Sequence, residues 1–443
     1  MNDLQPVEKS AASASASTAT QREDEFRKQV LLHLPRNFTA HLIHGLLGQT
    51  GFRLIQAPTF LPAYVFLLSG STTMVGLART CQAVGMFLTP VFGATLIERR
   101  LKVLPMVFAT GMAMRLSVFG LGLAGFLFAK EANLWAICIL LGLQGIFTGM
   151  QTVTFSFLVS KVIPVEKRGA VGGLRNTLAN LVSMVAGVIG GYLVSHNTWG
   201  NGYACVFLVA FALATSGLLA LTLVREPESP GVKAQQKFGS RLREVPALLR
   251  SDVDYRGYVW ARAIGAAGRM AVPFYFVYAA QQAVLPPESI GFAHTAWVAG
   301  QTGSTLLWGL LGDKRGFRDV LALSLLSWAA ATIALMYGHG MLALLLSFAG
   351  VGIGQGGFEM SCTNLVLEFG PREDVPMRIA VAQSAEQLVQ IVAPLLGGIL
   401  VEVASFRAMF WLAAVLQLIA LVITLMKVTD PRRRARPAAP HPA

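Results

Sequence analysis

The chain has 443 residues, of which 54% are hydrophobic and 13% are charged, and its formal net charge is +13. Soluble proteins carry about 25% charged residues, so a soluble fold of this length would lack the polar surface that it needs. The composition therefore excludes a soluble globular protein and predicts a chain embedded in a lipid bilayer.

The N-terminal segment is polar, with a Ser/Ala-rich tract, and it lacks the apolar run of a signal peptide. Residues 1–38 are therefore predicted to form a disordered cytosolic tail. The four cysteines, Cys81, Cys138, Cys205 and Cys362, lie in apolar runs without the spacing of a metal site. We interpret them as small packing residues and expect neither a metal nor another cofactor.

Apolar runs long enough to cross a bilayer recur along the whole chain, since a crossing helix needs about 20 such residues. A charged segment, residues 225–255, divides these runs six and six and is predicted to be a cytosolic linker. The predicted domains are two six-helix bundles, residues 39–224 and 256–427, followed by a basic cytosolic tail, residues 428–443. The predicted spans lie near residues 39–66, 73–96, 103–128, 134–159, 171–195, 202–224, 256–281, 290–311, 319–337, 341–364, 378–402 and 405–427.

Lysine and arginine are concentrated in the loops on one side of these spans, and the opposite loops carry little beyond Lys130 and Arg407. The positive-inside rule places the basic loops and both termini in the cytosol. We therefore expect a multi-pass protein of the inner membrane, monomeric and in contact with lipid. Nucleic-acid binding is not expected, because the basic residues flank spans and form no separate domain.

The two halves of the chain repeat each other. The segment from Gly76 to Thr80 in the second span matches the segment from Gly291 to Thr295 in the eighth, and Pro58 matches Pro273. The glycine pair that ends in Gly191 likewise matches the pair that ends in Gly398. A parallel repeat predicts two bundles related by an axis along the membrane normal, with a binding site between them.

Polar side chains form stripes on several spans, and a central charge facing lipid would cost about 2.5–3.5 kcal/mol. Spans 1, 4, 7 and 10, with spans 2, 5, 8 and 11, are therefore predicted to line a wet central cavity. The more apolar spans 3, 6, 9 and 12 are predicted to lie outside them. The candidate substrate-binding residues are Gln49, Arg53, Gln56, Gln144, Gln151, Arg269, Gln301, Gln355 and Gln390.

The loop after the eighth span carries Gly309, Asp313, Lys314, Gly316 and Arg318. This spacing resembles the loop motif of the major facilitator superfamily, and the resemblance extends over essentially the whole chain. The first half fits less well, because its acidic residue stands one place late and an arginine replaces the second glycine.

The resemblance implies an all-α integral membrane protein with twelve transmembrane helices in two pseudo-symmetric six-helix bundles. It also implies a secondary transporter that works by alternating access, with the motif loops forming a cytoplasmic gate. The alternative is that the loop charges only anchor helix ends at the interface. The candidate gating residues are Gly309, Asp313, Lys314, Arg315, Gly316, Arg318, Gly93, Glu98, Arg99, Arg100, Arg175 and Arg262.

Arg53 and Arg269 occupy equivalent places near the middle of the first and seventh spans. Arginine stays charged and binds carboxylate or phosphate through two hydrogen bonds, so two unpaired arginines predict an anion or an anionic chelate as substrate. The alternative is that Glu359 and Glu386 neutralise them in bridges between the halves. The sequence leaves both interpretations open.

Glu359 and Glu386 are the two acids predicted to lie well inside the spans. A carboxyl in a partly dry cavity can bind a proton in one conformation and release it in another, which predicts proton coupling. The alternative role is a gate bridge to Arg175 or Arg262.

The sequence contains no arrangement typical of catalysis. It lacks a P-loop, an HExxH motif and a nucleophile elbow, so we predict neither an enzyme nor ATP as the energy source. One alternative function is a proton-driven exporter of amphipathic compounds, although the proline expected between Ala186 and Gly191 for such exporters is missing. The other alternative is a receptor or scaffold that kept the fold without transporting.

Overall fold

The computed structural model describes residues 24–87, 89–97, 100–228, 245–282, 285–369 and 375–429. These residues form helices joined by short connections, and none of them lies in a β-strand. The all-α prediction is confirmed. Ten helices in the described part are long and apolar enough to cross a membrane. The second and eighth spans complete the twelve.

Six spans form the N-terminal half, and each lies close to its predicted position. Their bounds are Leu34–Ser69 for span 1, Thr72–Phe87 with Thr89–Ile97 for span 2, Leu104–Leu127 for span 3, Lys130–Val162 for span 4, Val165–Ser195 for span 5 and Gly202–Ala220 for span 6.

Six further spans form the C-terminal half. Their bounds are Val253–Gln282 for span 7, Ser289–Arg315 for span 8, Phe317–Tyr337 for span 9, Gly340–Leu365 for span 10, Val375–Val403 for span 11 and Phe406–Lys427 for span 12. A short helix, Val245–Ser251, precedes span 7.

The prediction of a disordered segment up to residue 38 was wrong for its second part. Residues 24–32 are helical, and span 1 already begins at Leu34. The side chain of Asn37 explains the order, because it donates to the carbonyl of Arg225 at 3.0 Å and accepts from its N–H at 2.8 Å. Residues 1–23 and 430–443 lie outside the described residues.

The predicted linker, residues 225–255, is also shorter than expected, because span 7 begins inside it. The carboxylate of Asp252 accepts the N–H of Tyr255 at 3.0 Å and thereby caps the first turn of span 7. The same carboxylate pairs with Arg378 at the start of span 11, at 2.6 Å. This ion pair fixes the entry of the chain into the C-terminal half.

Spans 1 and 7 are both interrupted near mid-depth. Span 1 contains a π-helical turn, His44–Gln49, and its helix stops at Gln56 before Pro58. Span 7 contains a 3-10 segment, Gly268–Phe274, that includes Pro273. Proline lacks an N–H and cannot continue the helical ladder, so the predicted repeat of the two prolines produces a break in each half.

The peripheral position of four spans is confirmed. Span 3 packs between spans 4 and 6, and span 9 packs between spans 10 and 12. Spans 6 and 12 pack mainly against spans 1 and 7 of their own half. Across the interface between the halves, span 2 packs on span 11 and span 5 packs on span 8.

The two crossings between the halves are built alike. Thr80 of span 2 donates a hydrogen bond to the carbonyl of Ile391 at 2.7 Å, and Thr295 of span 8 donates to the carbonyl of Met184 at 2.9 Å. The helices approach so closely at Gly76 that a Cβ there would lie 2.3 Å from the carbonyl oxygen of Pro394. The repeat seen in the sequence therefore recurs as a repeated contact.

These crossings close one end of the interface, where spans 2 and 8 begin and spans 5 and 11 end. We call this end the closed face and the end with the basic loops the open face. Toward the open face this close packing is not repeated, since a Cβ added at Gly169, Gly173, Gly303 or Gly309 would meet no atom within 4 Å. The cavity between the halves opens toward the basic loops.

The close crossing of spans 2 and 11 predicts an effect of Gly76→Ala. The added methyl group is expected to lower stability by about 1–3 kcal/mol through overpacking. Thermal unfolding of the purified protein measures this. Gly303→Ala is the control, because it adds the same methyl group on the open side of span 8. Equal unfolding temperatures for the two variants would contradict the close packing.

Candidate functional site

The candidate site lies in the cavity between the halves, beside the break in span 1. Arg53 stands in the helical segment Thr50–Gln56, just before that break. Its Nη1 donates to Oε1 of Gln301 in span 8 at 3.0 Å, which joins the two halves near mid-depth. Arg53 makes no ion pair with any residue that the structure describes.

A second cationic side chain, Arg175 of span 5, lies beside the π-helical turn of span 1. With its amide oxygen turned toward the guanidinium, Gln49 accepts from Nε and Nη2 of Arg175, both at 3.1 Å, and donates to Asn176 at 3.0 Å. The guanidinium also lies 5.5 Å from the ring of Phe155. Within the described part of the chain Arg175, too, makes no ion pair. Neither arginine therefore has a carboxylate at ion-pair distance among the described residues, although Glu359 acts on Arg53 electrostatically at longer range.

The cations of the C-terminal half are neutralised instead. Arg269 pairs with Glu359 at 3.2 Å and with Glu386 at 3.1 Å, and Arg262 pairs with Glu386 at 2.7 Å. Gln390 donates to the same Glu386 carboxylate at 2.9 Å. Two positive and two negative charges cancel in this quartet. The prediction of Arg53 and Arg269 as two unpaired, equivalent cations was wrong for Arg269.

The alternative, neutralisation by Glu359 and Glu386, is confirmed for Arg269 but was wrong for Arg53 and for bridges between the halves. All four members of the quartet belong to spans 7, 10 and 11, so their ion pairs stabilise one half internally. Of the predicted bridges from these two acids to Arg175 or Arg262, Glu386 makes the one to Arg262, within the C-terminal half, whereas Glu359 pairs with Arg269. Sequence spacing could not choose among the four arginines, because pairing depends on how the helices approach one another.

The two acids of the quartet differ in exposure. The side chain of Glu359 is 57% exposed, whereas that of Glu386 is 10% exposed. Glu359 therefore stands in the open cavity, where a proton can reach it in this conformation. Glu386 is held between two guanidinium groups and the amide of Gln390.

Arg79 is a structural residue that the sequence analysis missed. Its Nη2 donates to the carbonyls of Ile55, Gln56 and Ala57, at 3.1, 3.3 and 3.1 Å. These carbonyls lose their helical partners at the break before Pro58, and the C-terminal end of a helix attracts a cation. Arg79 thus fixes the helix end that positions Arg53. The signal was an intramembrane arginine in the span next to a predicted proline break.

Three of the predicted glutamines have different surroundings. Gln144 accepts from Gln82 at 2.8 Å, and Gln82 in turn accepts from Arg79 at 3.1 Å, so Gln144 supports the cap. Gln355 accepts from the indole of Trp297 at 2.8 Å. Gln56 is exposed next to the break.

Gln151 lies away from the cavity and was placed wrongly. Its amide accepts the hydroxyl of Thr110 at 2.6 Å, and it is buried where span 4 packs on span 3. The sequence pattern grouped it with Gln144 because the two residues stand seven apart on one helical face. Along this face of span 4, Gln144 lies on the cavity side and Gln151 lies against span 3.

The motif loop after span 8 lies at the surface of the open face. Gly309 faces open space rather than a close helix neighbour, and Asp313, Lys314 and Arg315 are exposed. The chain turns tightly at Gly316, between spans 8 and 9, where its φ of 94° is a conformation that favours glycine.

Of the other candidate gating residues, some stabilise packing within one half and some lie outside the described residues. Arg318 donates to the carbonyl of Leu425 in span 12 at 2.7 Å and so anchors span 9 within its own half. A Cβ at Gly93 would lie 2.7 Å from the carbonyl of Met150, which shows close packing of spans 2 and 4. Arg100 is exposed, and Glu98 and Arg99 lie outside the described residues.

The family model described as Major Facilitator Superfamily matches residues 46–282 and 258–443. The chain belongs to the major facilitator superfamily. The protein is therefore a multi-pass membrane protein of a transporter family and not an enzyme. The fold agrees with the solved structure of a D-xylose-proton symporter, which it matches with a TM-score of 0.71 and 13% identity, over 90% of this chain and 99% of that one.

Two curated relatives align over shorter segments. A vacuolar membrane amino acid uptake transporter of Schizosaccharomyces pombe, fnx2, is 33% identical over 96 residues, which are 21% of this chain and 16% of the relative. The multidrug resistance protein MdtG of Proteus mirabilis is 24% identical over 170 residues, which are 38% of this chain and 42% of the relative. The aligned segments span less than half of either relative.

The quartet predicts unequal effects of removing its two acids. Glu386→Gln leaves two poorly exposed arginines without their shared partner and is expected to cost about 3–5 kcal/mol of stability. Glu359→Gln removes an exposed partner and is expected to cost about 0–1 kcal/mol. Thermal unfolding of both variants checks the order. A larger loss for Glu359→Gln would contradict the geometry of the quartet.

Proposed function

We propose that the protein is a secondary active transporter that moves a small anion, or an anionic chelate, across the membrane by alternating access. One observation carries this proposal. Arg53 and Arg175 border the cavity without an ion pair among the described residues, whereas Arg262 and Arg269 are neutralised by Glu386 and Glu359. The cavity therefore keeps an excess of positive charge in one half.

An uncompensated cation away from bulk water is costly, and a bound anion with good hydrogen-bond geometry offsets part of that cost. Guanidinium groups bind carboxylate or phosphate oxygens through charge-assisted hydrogen bonds, which are stronger than neutral ones. The present partners of the two arginines are neutral amides, Gln301 and Gln49. An anion competes well against an amide for a guanidinium, so both arginines are available to a substrate.

Binding at Arg53 would also act on the conformation. The bond from Arg53 to Gln301 joins the halves near mid-depth, and an anion that takes the guanidinium releases Gln301. Substrate binding and the relative position of the halves are then linked through one side chain. Such differential contact is what a ligand needs to shift a conformational equilibrium.

The basic loops surround the open face, and we propose that this face is cytoplasmic in an inner membrane. Both termini would then be cytoplasmic, and the conformation described here would be inward-facing. We propose a monomer in lipid as the working unit, because each half and the cavity between them are formed by one chain.

The anion proposal is tested by a thermal-shift screen of the purified protein against inorganic phosphate, organic carboxylates and lipophilic cations. Selected anions are expected to stabilise the parent protein. Arg53→Gln and Arg175→Gln are each expected to weaken that binding about 10- to 100-fold, which corresponds to the loss of one charge-assisted hydrogen bond.

The control for this screen is Arg100→Gln, which removes an exposed arginine of the same half. It is expected to keep the anion response of the parent protein. Stabilisation by lipophilic cations that persists in Arg53→Gln and Arg175→Gln would overturn the anion proposal.

We propose that protons drive the transport through Glu359. Protonation of this exposed carboxyl would break its ion pair with Arg269 and leave the quartet with an excess positive charge. A protonated carrier would then hold an anion more strongly than an unprotonated one. Anion and proton would move together, with Glu386 keeping Arg262 in place.

Glu359→Gln tests this coupling in proteoliposomes loaded with an anion that the screen has identified. The variant is expected to lose uphill accumulation driven by a pH gradient, because residue 359 no longer changes its charge. It is expected to keep counterflow, which needs no net proton movement. Accumulation equal to that of the parent protein would rule out Glu359 as the coupling residue.

A second candidate function is the proton-driven export of amphipathic compounds, which the similarity to MdtG favours. The screen separates this function from anion transport through its lipophilic cations. A receptor or scaffold that binds without transporting would show ligand stabilisation but no counterflow.

A further inference from the structure

The crossing of spans 2 and 11 carries a polar contact beyond its threonine and glycines. Glu402, in the last turn of span 11, extends its carboxylate to the first turn of span 2 in the other half. It accepts the hydroxyl of Ser71 at 2.5 Å, the N–H of Thr73 at 3.0 Å and the hydroxyl of Thr73 at 2.8 Å. Three hydrogen bonds to one carboxylate thus join the halves at the closed face.

This arrangement completes the cap of a helix in the opposite half. The first N–H groups of a helix lack intrahelical partners and carry partial positive charge, so they attract a carboxylate. Ser71 contributes in turn, because its hydroxyl oxygen accepts the N–H of Met74 at 3.2 Å. The start of span 2 therefore obtains part of its capping from a residue of span 11.

The equivalent crossing of spans 5 and 8 lacks such a carboxylate. Counted from the matched glycines Gly398 and Gly191, the place of Glu402 is taken by Ser195. The hydroxyl of Ser195 donates to the carbonyl of Tyr192 in its own span at 3.0 Å. The place of Thr73 is taken by Glu288, which offers no hydroxyl. The two crossings share their threonine and their glycines, but one adds the contacts of Glu402 and the other adds a buried contact between Ser183 and His294 at 3.1 Å.

We propose that Glu402 is a gating residue that sets how firmly the closed face is shut. Alternating access requires the halves to separate at this face, and all three hydrogen bonds to Glu402 must then break. Their loss also leaves the N–H of Thr73 without its carboxylate partner. Glu402 therefore favours the conformation open toward the basic loops.

The expected effect is moderate, because Glu402 is exposed and exposed ionic contacts are individually weak. Removing its charge is expected to shift the ratio of the two conformations about tenfold toward opening of the closed face. This proposal rests on the fold and on alternating access, and it is independent of the substrate and of proton coupling.

Hydrogen exchange measured by mass spectrometry on the full chain in lipid nanodiscs tests the proposal. In Glu402→Gln, exchange is expected to rise about tenfold at the closed face, in residues 72–80, 183–195, 288–295 and 391–402. It is expected to fall at the open face, in residues 169–177 and 303–313, because that face closes when the other opens. General destabilisation would instead raise exchange at both faces.

The controls separate the contact from nonspecific effects of the substitution. Glu131→Gln removes an exposed acid in the first turn of span 4, near the same face, and is expected to match the parent protein. Thr73→Val removes a partner of Glu402 from the other side and is expected to act in the same direction. The double variant of Thr73 and Glu402 is expected to add little to Glu402→Gln. Exchange in Glu402→Gln equal to that in Glu131→Gln, or raised at both faces, would overturn the proposal.

Discussion

Every positive charge between the helices needs a partner, because the surroundings solvate ions poorly. The protein meets this constraint in three ways. In the C-terminal half, two arginines share two glutamates. Arg79 and Arg115 of the N-terminal half use backbone carbonyls, and Arg115 donates to Ala214 at 2.6 Å. Arg53 and Arg175 have only amides, and this remaining imbalance distinguishes the cavity from the rest of the bundle.

Features that each segment determines by itself were predictable from the sequence, and features that depend on helix packing were not. Twelve spans, the repeat and the peripheral helices follow from hydropathy and spacing, which the bilayer imposes on each segment separately. The partner of Arg269 does not follow, because pairing depends on how three helices approach one another. The cap formed by Arg79 and the burial of Gln151 beside Thr110 depend on packing in the same way. The start of span 1 was misplaced because polar residues at a helix end can be ordered by a distant carbonyl, here that of Arg225.

The halves meet through contacts of two kinds, and the difference matters for movement. Both crossings contain a close backbone approach, such as the one at Gly76, and a hydrogen bond from a threonine, Thr80 in one and Thr295 in the other. These equivalent contacts guide the halves symmetrically. The contacts of Arg53 with Gln301 and of Glu402 with Thr73 occur once each. The symmetric contacts define the axis about which the halves rock, and the single contacts determine which conformation along that motion is preferred.

Arg79 and His294 occupy the same place in the two copies of the repeat, one residue before the matched threonines. In one copy this side chain holds the end of a broken helix within its own half, and in the other it contacts Ser183 across the interface at 3.1 Å. A transport defect in an Arg79 variant would therefore report a displaced helix end, even though the residue borders the cavity. The repeat provides two equivalent positions. One stabilises a helix end within its own half, and the other forms a contact between the halves.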